Sequence, residues 1–282
     1  MRFDSCASEY DSHATPQRAF AERVAGFIGD LSGQGCNEGR GRARPRQTLH
    51  GNLPREMGKT RPHHSPDSST NGTETHLPSE AIILELGAGT GALTRWLCEF
   101  PGARVCATDA SPAMVSIGKS AVPRADWKTL DAFRYPLMLS VLQVSSGLLQ
   151  WAPDPVAVLR HWKAALCPGG RMVHAFACEP CLQEWRKVAS ESPVTWRDEA
   201  GWLVMFEEAG LRVQRKKVWL ECIEFHTSLQ LARSLHGSGV TGHPRMGAGQ
   251  LREAMRHYDR LFRSKNGVFS TWAWMAVEAT LA

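Results

Sequence analysis

The chain has 282 residues, of which 43% are hydrophobic and 22% charged, and its formal net charge is +5. This composition suits one globular domain, alone or with appendages. A membrane span is excluded because no run of about 18 apolar residues occurs, and the N-terminus lacks the apolar stretch of a signal peptide. The eight cysteines are scattered through a chain too long and apolar to need disulfides, so we expect a cytoplasmic protein.

The first 77 residues divide into two parts. Residues 1–31 carry apolar side chains at helical spacing, and we expect this segment to pack on the body of the protein. Residues 32–77 contain no Ile, Val, Phe, Tyr or Trp, so they cannot bury enough surface to offset their ordering entropy. We predict that they form a disordered insertion. This insertion alone carries +3 of the net charge, so the rest of the chain does not favour a nucleic-acid partner.

From residue 78 onward, strands, glycine turns and helices alternate. The predicted strands cover residues 81–86, 103–108, 137–145, 171–177, 211–220 and 269–278. Strands that alternate with helices at this spacing predict an α/β fold, with a parallel sheet covered on both faces. About 48 residues separate the last two strands, far more than a hairpin needs. Helical patterns at 225–235 and 248–262 predict a lid over about 223–266.

The turn after the first strand is the first indication of a ligand. Gly87 and Gly89 allow close approach of the backbone, and the N–H groups at the next helix favour electron-rich atoms. Asp109 lies 20 residues after Gly89, at the end of the second strand, where a carboxylate can bind both hydroxyls of a ribose. The pattern therefore predicts a nucleoside-containing ligand. Gly87-x-Gly89-x-x-Ala92 also satisfies the dinucleotide fingerprint, so a nicotinamide cofactor stays open as an alternative.

The run Glu-Leu-Gly-Ala-Gly-Thr-Gly from Glu85 to Gly91 resembles motif I of the class I S-adenosylmethionine-dependent methyltransferases. The resemblance implies a Rossmann-like, seven-stranded, mostly parallel sheet and S-adenosylmethionine as the cofactor. It places Glu85, Gly87 and Gly89 around the methionine part, Asp109 on the ribose and Asp131 near the adenine. The cofactor set that it implies is Glu85, Gly87, Gly89, Gly91, Asp109, Ala110, Asp131 and Ala132.

Three further segments are similar to the malonyl-acyl carrier protein O-methyltransferases of biotin synthesis. They are residues 3–14 followed by Gln17-Arg18, residues 149–155, and residues 231–241 in the lid. The resemblance implies methylation of the free carboxylate of a malonyl thioester, with acyl carrier protein as the partner. A carboxylate is already ionised at pH 7, so this chemistry requires no general base.

Several side chains are candidates for the acceptor side of this site. Arg233 is our candidate cation for the acceptor carboxylate, because its planar fork matches a carboxylate, although a solvated surface arginine is the alternative. Tyr10 is expected to close over the cofactor and exclude water, with ordinary packing as the alternative. His236 is a candidate for orienting the substrate, and a solvated helix end is the alternative. Gln150 and Trp151 are expected to shape the pocket, with core packing as the other interpretation for Trp151.

The last lid helix carries a basic face at helical spacing. It consists of Arg252, Arg256, Arg260 and Arg263. Such a face suits docking of an acidic carrier protein, although a charged face is more often simply solvated. We expect the protein to be a monomer.

Two departures from the family keep other functions open. The segment before the fourth strand lacks the family's Phe-Asp pair, and Ser146 stands where Asn is common. A methyltransferase for another small carboxylate is therefore an alternative, and so is a weakly active scaffold that binds the cofactor. Cys178 and Cys181 form a CxxC pair without a second pair, which is too little for a zinc site.

Overall fold

The computed structural model of the protein describes residues 7, 9–29, 82–134, 137–189, 194, 196–240 and 247–282. The predicted insertion at 32–77 lies outside these residues. Within them, no helix combines the length and the apolar character needed to cross a membrane.

A mixed sheet forms the centre of the described chain. Its strands are β1 (Ile82–Leu86), β2 (Arg104–Asp109), β3 (Asp126–Thr129), β4 (Ser140–Ser146), β5 (Leu166–Ala177), β6 (Leu211–Phe225), β7 (Arg263–Ser264) and β8 (Gly267–Leu281). The order is β3-β2-β1-β4-β5-β8-β6, and the two-residue β7 pairs with β8 beside this path. Strands β1 to β5 pair in parallel, and β8 runs antiparallel to both β5 and β6. The predicted Rossmann-like α/β fold with a mostly parallel sheet is confirmed.

Nine helices are present in the described residues. They are α1 (Tyr10–His13), α2 (Thr15–Gly29), α3 (Thr94–Leu97), α4 (Pro112–Ala121), α5 (Pro155–Lys163), α6 (Gln183–Val188), α7 (Glu199–Glu208), α8 (Ser228–Gly237) and α9 (Ala248–Leu261). The start of α4 is encoded locally: the Ser111 hydroxyl accepts the N–H of Met114 at 3.1 Å, and Pro112 occupies the first helical position.

The burial of the strands follows their places in the sheet. Strand β8 lies between two neighbours, and residues 272–279 form a continuous buried run. Strand β6 lies at the edge and alternates between exposed and half-buried side chains, with several Lys and Arg residues along it. Charged side chains on an edge strand oppose pairing with other chains.

The N-terminal helices connect the sheet to the lid. The ring of Phe20 in α2 stacks on Trp274 of β8, with 4.3 Å between centroids. Helix α1 packs on α8, where the Ser234 hydroxyl donates to the carbonyl of His13 at 3.0 Å. Gly237 permits this contact, because a Cβ there would lie 2.3 Å from the His13 ring.

The region between β6 and β8 holds α8 and α9, where the sequence predicts two lid helices. Helix α8 buries Leu231, Ala232 and Leu235, and the Tyr258 hydroxyl of α9 donates to the carbonyl of Phe269 at 2.8 Å. Strand β6 continues to residue 225 instead of ending at the predicted 220, because it stays paired with β8 along its whole length.

Candidate active site

A cavity opens beside the carboxyl ends of β1 and β4. The glycine turn after β1 forms one wall, and the segment from Ser146 to Trp151 forms a second. Helix α2, the end of α8 and Trp274 of β8 close the remaining sides. Ligands of open α/β sheets bind in this crevice, at the point where the strand order reverses.

The three glycines of the turn all adopt the left-handed backbone conformation but differ in surroundings. Gly89 has φ +56°, and a Cβ added there would meet no atom within 4 Å, so the backbone is open to a ligand. At Gly91, by contrast, a Cβ would press against Val122 and Trp127. The structure therefore accounts for Gly91 by packing, and it places Gly87 and Gly89 on the cavity wall.

The Glu85 carboxyl group lies at the end of β1 and lines the cavity, with 2% of the residue exposed. The Thr94 hydroxyl donates to its Oε2 atom at 2.6 Å. Burial raises the pKa of Glu85 to about 8, against the opposing effect of this hydrogen bond, and the charge of Asp109 raises the pKa further. The side chain is therefore largely protonated at neutral pH before any cationic ligand arrives.

Replacing Glu85 with Gln should flatten the pH dependence of stability. In the wild type, the protonated Glu85 carboxyl group contributes fully to the free energy of unfolding below its unfolded pKa of 4.5. This contribution is lost as the pH rises through about 8, because burial disfavours the ionised carboxylate in the folded state. The Gln side chain has no proton to lose in this range. We therefore expect the free energies of unfolding of the two proteins to diverge by roughly 1.4 kcal/mol per pH unit at most.

Urea unfolding of both proteins from about pH 5 to about pH 8 measures this difference. Buried His174, whose pKa is lowered to about 3 by burial, is present in both proteins and cancels in the comparison. Parallel pH profiles for wild type and Glu85→Gln would contradict the prediction.

Asp109 and Tyr10 both lie beside the glycine turn, close enough for the charge of Asp109 to affect Tyr10. Asp109 ends β2, and its two carboxylate oxygens accept the N–H groups of Gly89 and Ser111, each at 2.9 Å. Tyr10 lines the cavity, and burial together with the charges of Asp109 and Asp11 raises its pKa to about 12. The Thr90 hydroxyl also donates to Asp11 at 2.7 Å, which ties α1 to the turn.

The other predicted cofactor residues lie beside this cluster. Ala110 is exposed directly after Asp109. Asp131 follows β3 and accepts the N–H of Phe133 at 3.0 Å, and the carbonyl of buried Ala132 accepts the indole N–H of Trp162 at 2.9 Å. Their segment adjoins the end of β2, where Leu130 donates to the carbonyl of Asp109 at 2.9 Å. Like Gly91 and Asp109, these three residues are not among the described residues that line the cavity.

Gln150 and Trp151 line the cavity from the short 3-10 turn Leu149–Trp151. The Gln150 amide donates to the carbonyl of Gly147 at 2.9 Å, which holds the side chain in place. Arg233 and His236, in contrast, are exposed on α8 and are not among the described residues that line the cavity. Their roles toward the acceptor remain predictions.

The sequence analysis assigned no role in the cavity to several residues that line it, among them Phe20, Ser238, Val240 and Trp274. Gln17 and Arg18 also line it, although the sequence comparison gave them no role. The spacing of Gln17, Phe20 and Ala21 could have indicated that they face the cavity together, because it places them on one face of a helix.

The CxxC pair offers little chemistry. Cys178 and Cys181 are buried, and burial raises the pKa of each thiol to about 12, so neither forms a thiolate at neutral pH. Across the described ranges, no group of three His, Cys, Asp or Glu side chains is placed to hold a metal ion.

Residues 84–172 match a family model described as a methyltransferase domain. In structure, the chain resembles a protein from Bacillus halodurans C-125 (TM-score 0.55, 13% identity, 72% of this chain and 93% of that chain) and the YcgJ protein of Bacillus subtilis (TM-score 0.54, 16% identity, the same shares). The sheet, with the glycine turn and Asp109 at its edge, therefore has the Rossmann-like α/β fold of class I methyltransferases, and residues 84–172 within it match the methyltransferase domain model.

Three curated relatives are similar to this chain. The bifunctional biotin biosynthesis protein BioCD of Bordetella avium is 26% identical over 99% of this chain and 55% of its own length. The trans-aconitate 2-methyltransferase of Variovorax paradoxus is 32% identical over 44% of this chain and 50% of its own length. The malonyl-[acyl-carrier protein] O-methyltransferase of Neorickettsia risticii is 34% identical over 38% of this chain and 45% of its own length. The chain thus spans about half the length of these relatives.

Proposed function

We propose that the protein transfers a methyl group from S-adenosylmethionine to the free carboxylate of malonyl-acyl carrier protein, an early step of biotin synthesis. The observation that carries this proposal is the extent of the BioCD match, which covers 99% of the chain and so includes α1, α2 and the lid. Residues of these elements line the cavity. The matches to trans-aconitate methyltransferases cover less than half of the chain.

The residues that line the cavity, together with Asp109 beside it, suit S-adenosylmethionine. Gly89 leaves open space beside the backbone for the ligand. The Glu85 carboxyl group can accept a hydrogen bond from an ammonium group or form an ion pair with it, and the Asp109 carboxylate can bind hydroxyl groups. When bound, the cofactor supplies an electrophilic methyl group on a sulfonium. Tyr10 lies beside both Asp109 and the turn, where it shields the ligand from water.

The protein's own contribution to catalysis is binding, orientation and the exclusion of water. The acceptor carboxylate is ionised at neutral pH, so no side chain has to remove a proton. The stacked rings of Phe20 and Trp274 give the cavity a rigid apolar wall, and Gln150 is held by its bond to Gly147. Holding two reactants in the right orientation in a dry site accounts for much of the acceleration of such a transfer.

The exposed arginines of α9 and β7 (Arg252, Arg256, Arg260 and Arg263) are the proposed docking face for the acidic carrier protein. Reversing two of them, as Arg252→Glu with Arg256→Glu, should raise the KM for malonyl-acyl carrier protein about tenfold or more at low salt. The KM for malonyl-coenzyme A should stay unchanged, because this substrate has no protein partner to dock.

Steady-state kinetics with both thioesters tests the docking face. Lys119→Glu with Arg212→Glu, two reversals at exposed positions outside the lid, is the control for net charge. An equal rise in KM for the two thioesters would show that the arginines act on the site itself, and the docking proposal would then fail.

Methylation of trans-aconitate is the second candidate, favoured by the 32% identity to the Variovorax enzyme over 131 residues. Both candidates place a carboxylate oxygen as the nucleophile. They differ in whether the acceptor is a free small acid or a thioester on a carrier protein, so a direct comparison of acceptors separates them.

The proposal is tested by calorimetry followed by turnover. Purified protein is titrated with S-adenosylhomocysteine and, separately, with NADH, and is then incubated with S-adenosylmethionine and each acceptor while methyl esters are followed by mass spectrometry. We expect binding of S-adenosylhomocysteine alone and esterification of malonyl-acyl carrier protein. Esterification of trans-aconitate only would favour the second candidate. Tight cofactor binding without any ester would favour a scaffold, and binding of NADH would overturn the assignment.

A further inference from the structure

We infer that Arg18 and Gln17 of α2 form a carboxylate-binding site in the wall of the cavity. The inference depends on the proposed function only for the identity of the ligands. The chemistry that the two side chains recognise, a carboxylate, follows from their own groups.

Arg18 is the one cation among the described residues that line the cavity. Its side chain forms no hydrogen bond or ion pair with any residue in the described part of the chain. Arg23, on the same helix, differs because it forms an ion pair with Glu221 of β6. The Arg18 guanidinium is therefore available to a ligand, and its planar fork of donors matches the two oxygens of a carboxylate.

Gln17 provides an independent observation beside Arg18. Both polar atoms of its amide, Nε2 and Oε1, are buried without a hydrogen-bond partner, and the residue lines the same cavity. Buried amides are nearly always hydrogen-bonded, because an unpaired one forfeits its hydration without compensation. A ligand oxygen bound by the Gln17 NH₂ group and the Arg18 guanidinium would compensate for this loss.

The position of α2 distinguishes Arg18 from the candidate that the sequence favoured. The inward face of α8 consists of Leu231, Ala232 and Leu235, so Arg233 points outward and is exposed. Arg18 is also exposed, but unlike Arg233 it is among the described residues that line the cavity, next to Gln17, and α2 is anchored there by the stacking of Phe20 on Trp274. The structure thus brings a different cation to the site.

Two carboxylates can reach such a site under the proposed function. One belongs to the malonyl acceptor, and the other belongs to the methionine part of the cofactor. S-adenosylhomocysteine carries the second carboxylate, whereas 5′-methylthioadenosine keeps the adenosine and the thioether but lacks it. Comparing these ligands identifies the source.

The test compares full-length wild type with Arg18→Gln, Arg18→Lys and the matched control Arg23→Gln by calorimetry. The ligands are S-adenosylhomocysteine, 5′-methylthioadenosine, and malonyl-coenzyme A or its methyl ester added to the complex with S-adenosylhomocysteine. No methyl donor is present, so each titration measures binding alone. Arg18→Gln should weaken binding of one carboxylate ligand at least about tenfold, Arg18→Lys less, and 5′-methylthioadenosine should bind all proteins equally.

Each outcome decides the inference. A loss confined to malonyl-coenzyme A, with no loss for its methyl ester, assigns the site to the acceptor, and a loss confined to S-adenosylhomocysteine assigns it to the cofactor. Equal affinities of Arg18→Gln and Arg23→Gln for every ligand overturn the inference, and so does a loss that includes 5′-methylthioadenosine. Failure of the proposed function would appear differently, as the absence of methyl ester in the turnover assay despite Arg18-dependent binding.

Discussion

Replacing Asp109 with Ala is expected to weaken the binding of S-adenosylhomocysteine by about 10- to 100-fold. A hydrogen bond to a charged group contributes roughly 1.5–3 kcal/mol, and the Asp109 carboxylate is the group proposed to bind the ribose hydroxyls. The substitution has a second effect, because the same carboxylate accepts the N–H of Gly89 at 2.9 Å and so holds the glycine turn against the end of β2. Both effects lower affinity, so the loss should exceed that of a single ribose contact.

Calorimetric titration measures this loss, with Asp126→Ala as the matched control. Asp126 is an exposed aspartate on neighbouring β3 that pairs with Arg104, outside the cavity. Asp109→Asn keeps an amide oxygen for one backbone N–H group, and we expect it to bind with intermediate affinity. A dissociation constant for Asp109→Ala within about twofold of wild type would contradict the proposed ribose role.

The second large effect is expected at Gly237, the last residue of α8. A Cβ at this position would lie 2.3 Å from the His13 ring and 2.8 Å from its Cβ atom, so α1 has to move away from the lid. Overpacking of this kind costs roughly 1–3 kcal/mol, and we expect Gly237→Ala to lower the free energy of unfolding by that amount. Activity should fall as well, because α1 carries Tyr10 to the cavity.

Urea unfolding and methyl transfer by Gly237→Ala should be compared with those of Gly26→Ala. Gly26 also lies in a helix, but a Cβ there would meet no atom within 4 Å. The control should be as stable as wild type or more stable by up to about 1 kcal/mol, since Ala has the higher helix propensity. Equal stability of the two variants would show that α1 does not pack on α8 as described.

Elements that are determined by residues close together in the chain could be predicted from the sequence. The cap at Ser111 acts over three residues, and the buried runs of β1 and β2 carry their own hydrophobic pattern. The end of β6 could not be read in this way. Residues 221–225 remain in the strand because they pair with residues 268–272 of β8, more than 40 residues later in the chain.

Some residues of the site could also be predicted from the sequence, whereas the surroundings of others could not. The glycine turn and Asp109 were predictable, because a ligand approaching the end of a parallel strand requires an open backbone and an acid at fixed spacing. Gly91 belongs to the same motif, yet its surroundings are Val122 and Trp127, which only the packed structure brings beside it.

The sequence by itself determined the α/β class, the glycine turn and the position of Asp109, because periodicity and local spacing encode them. Only the tertiary structure decided which arginine faces the cavity. Arg18 and Arg233 both lie on amphipathic helices with apolar neighbours, and the sequence pattern is equally compatible with either as the cation of the site. The choice follows from packing. Both arginines are exposed, but burial of Leu231 and Leu235 leaves Arg233 outside the described lining of the cavity, whereas the stacking of Phe20 on Trp274 holds α2 with Arg18 at its rim.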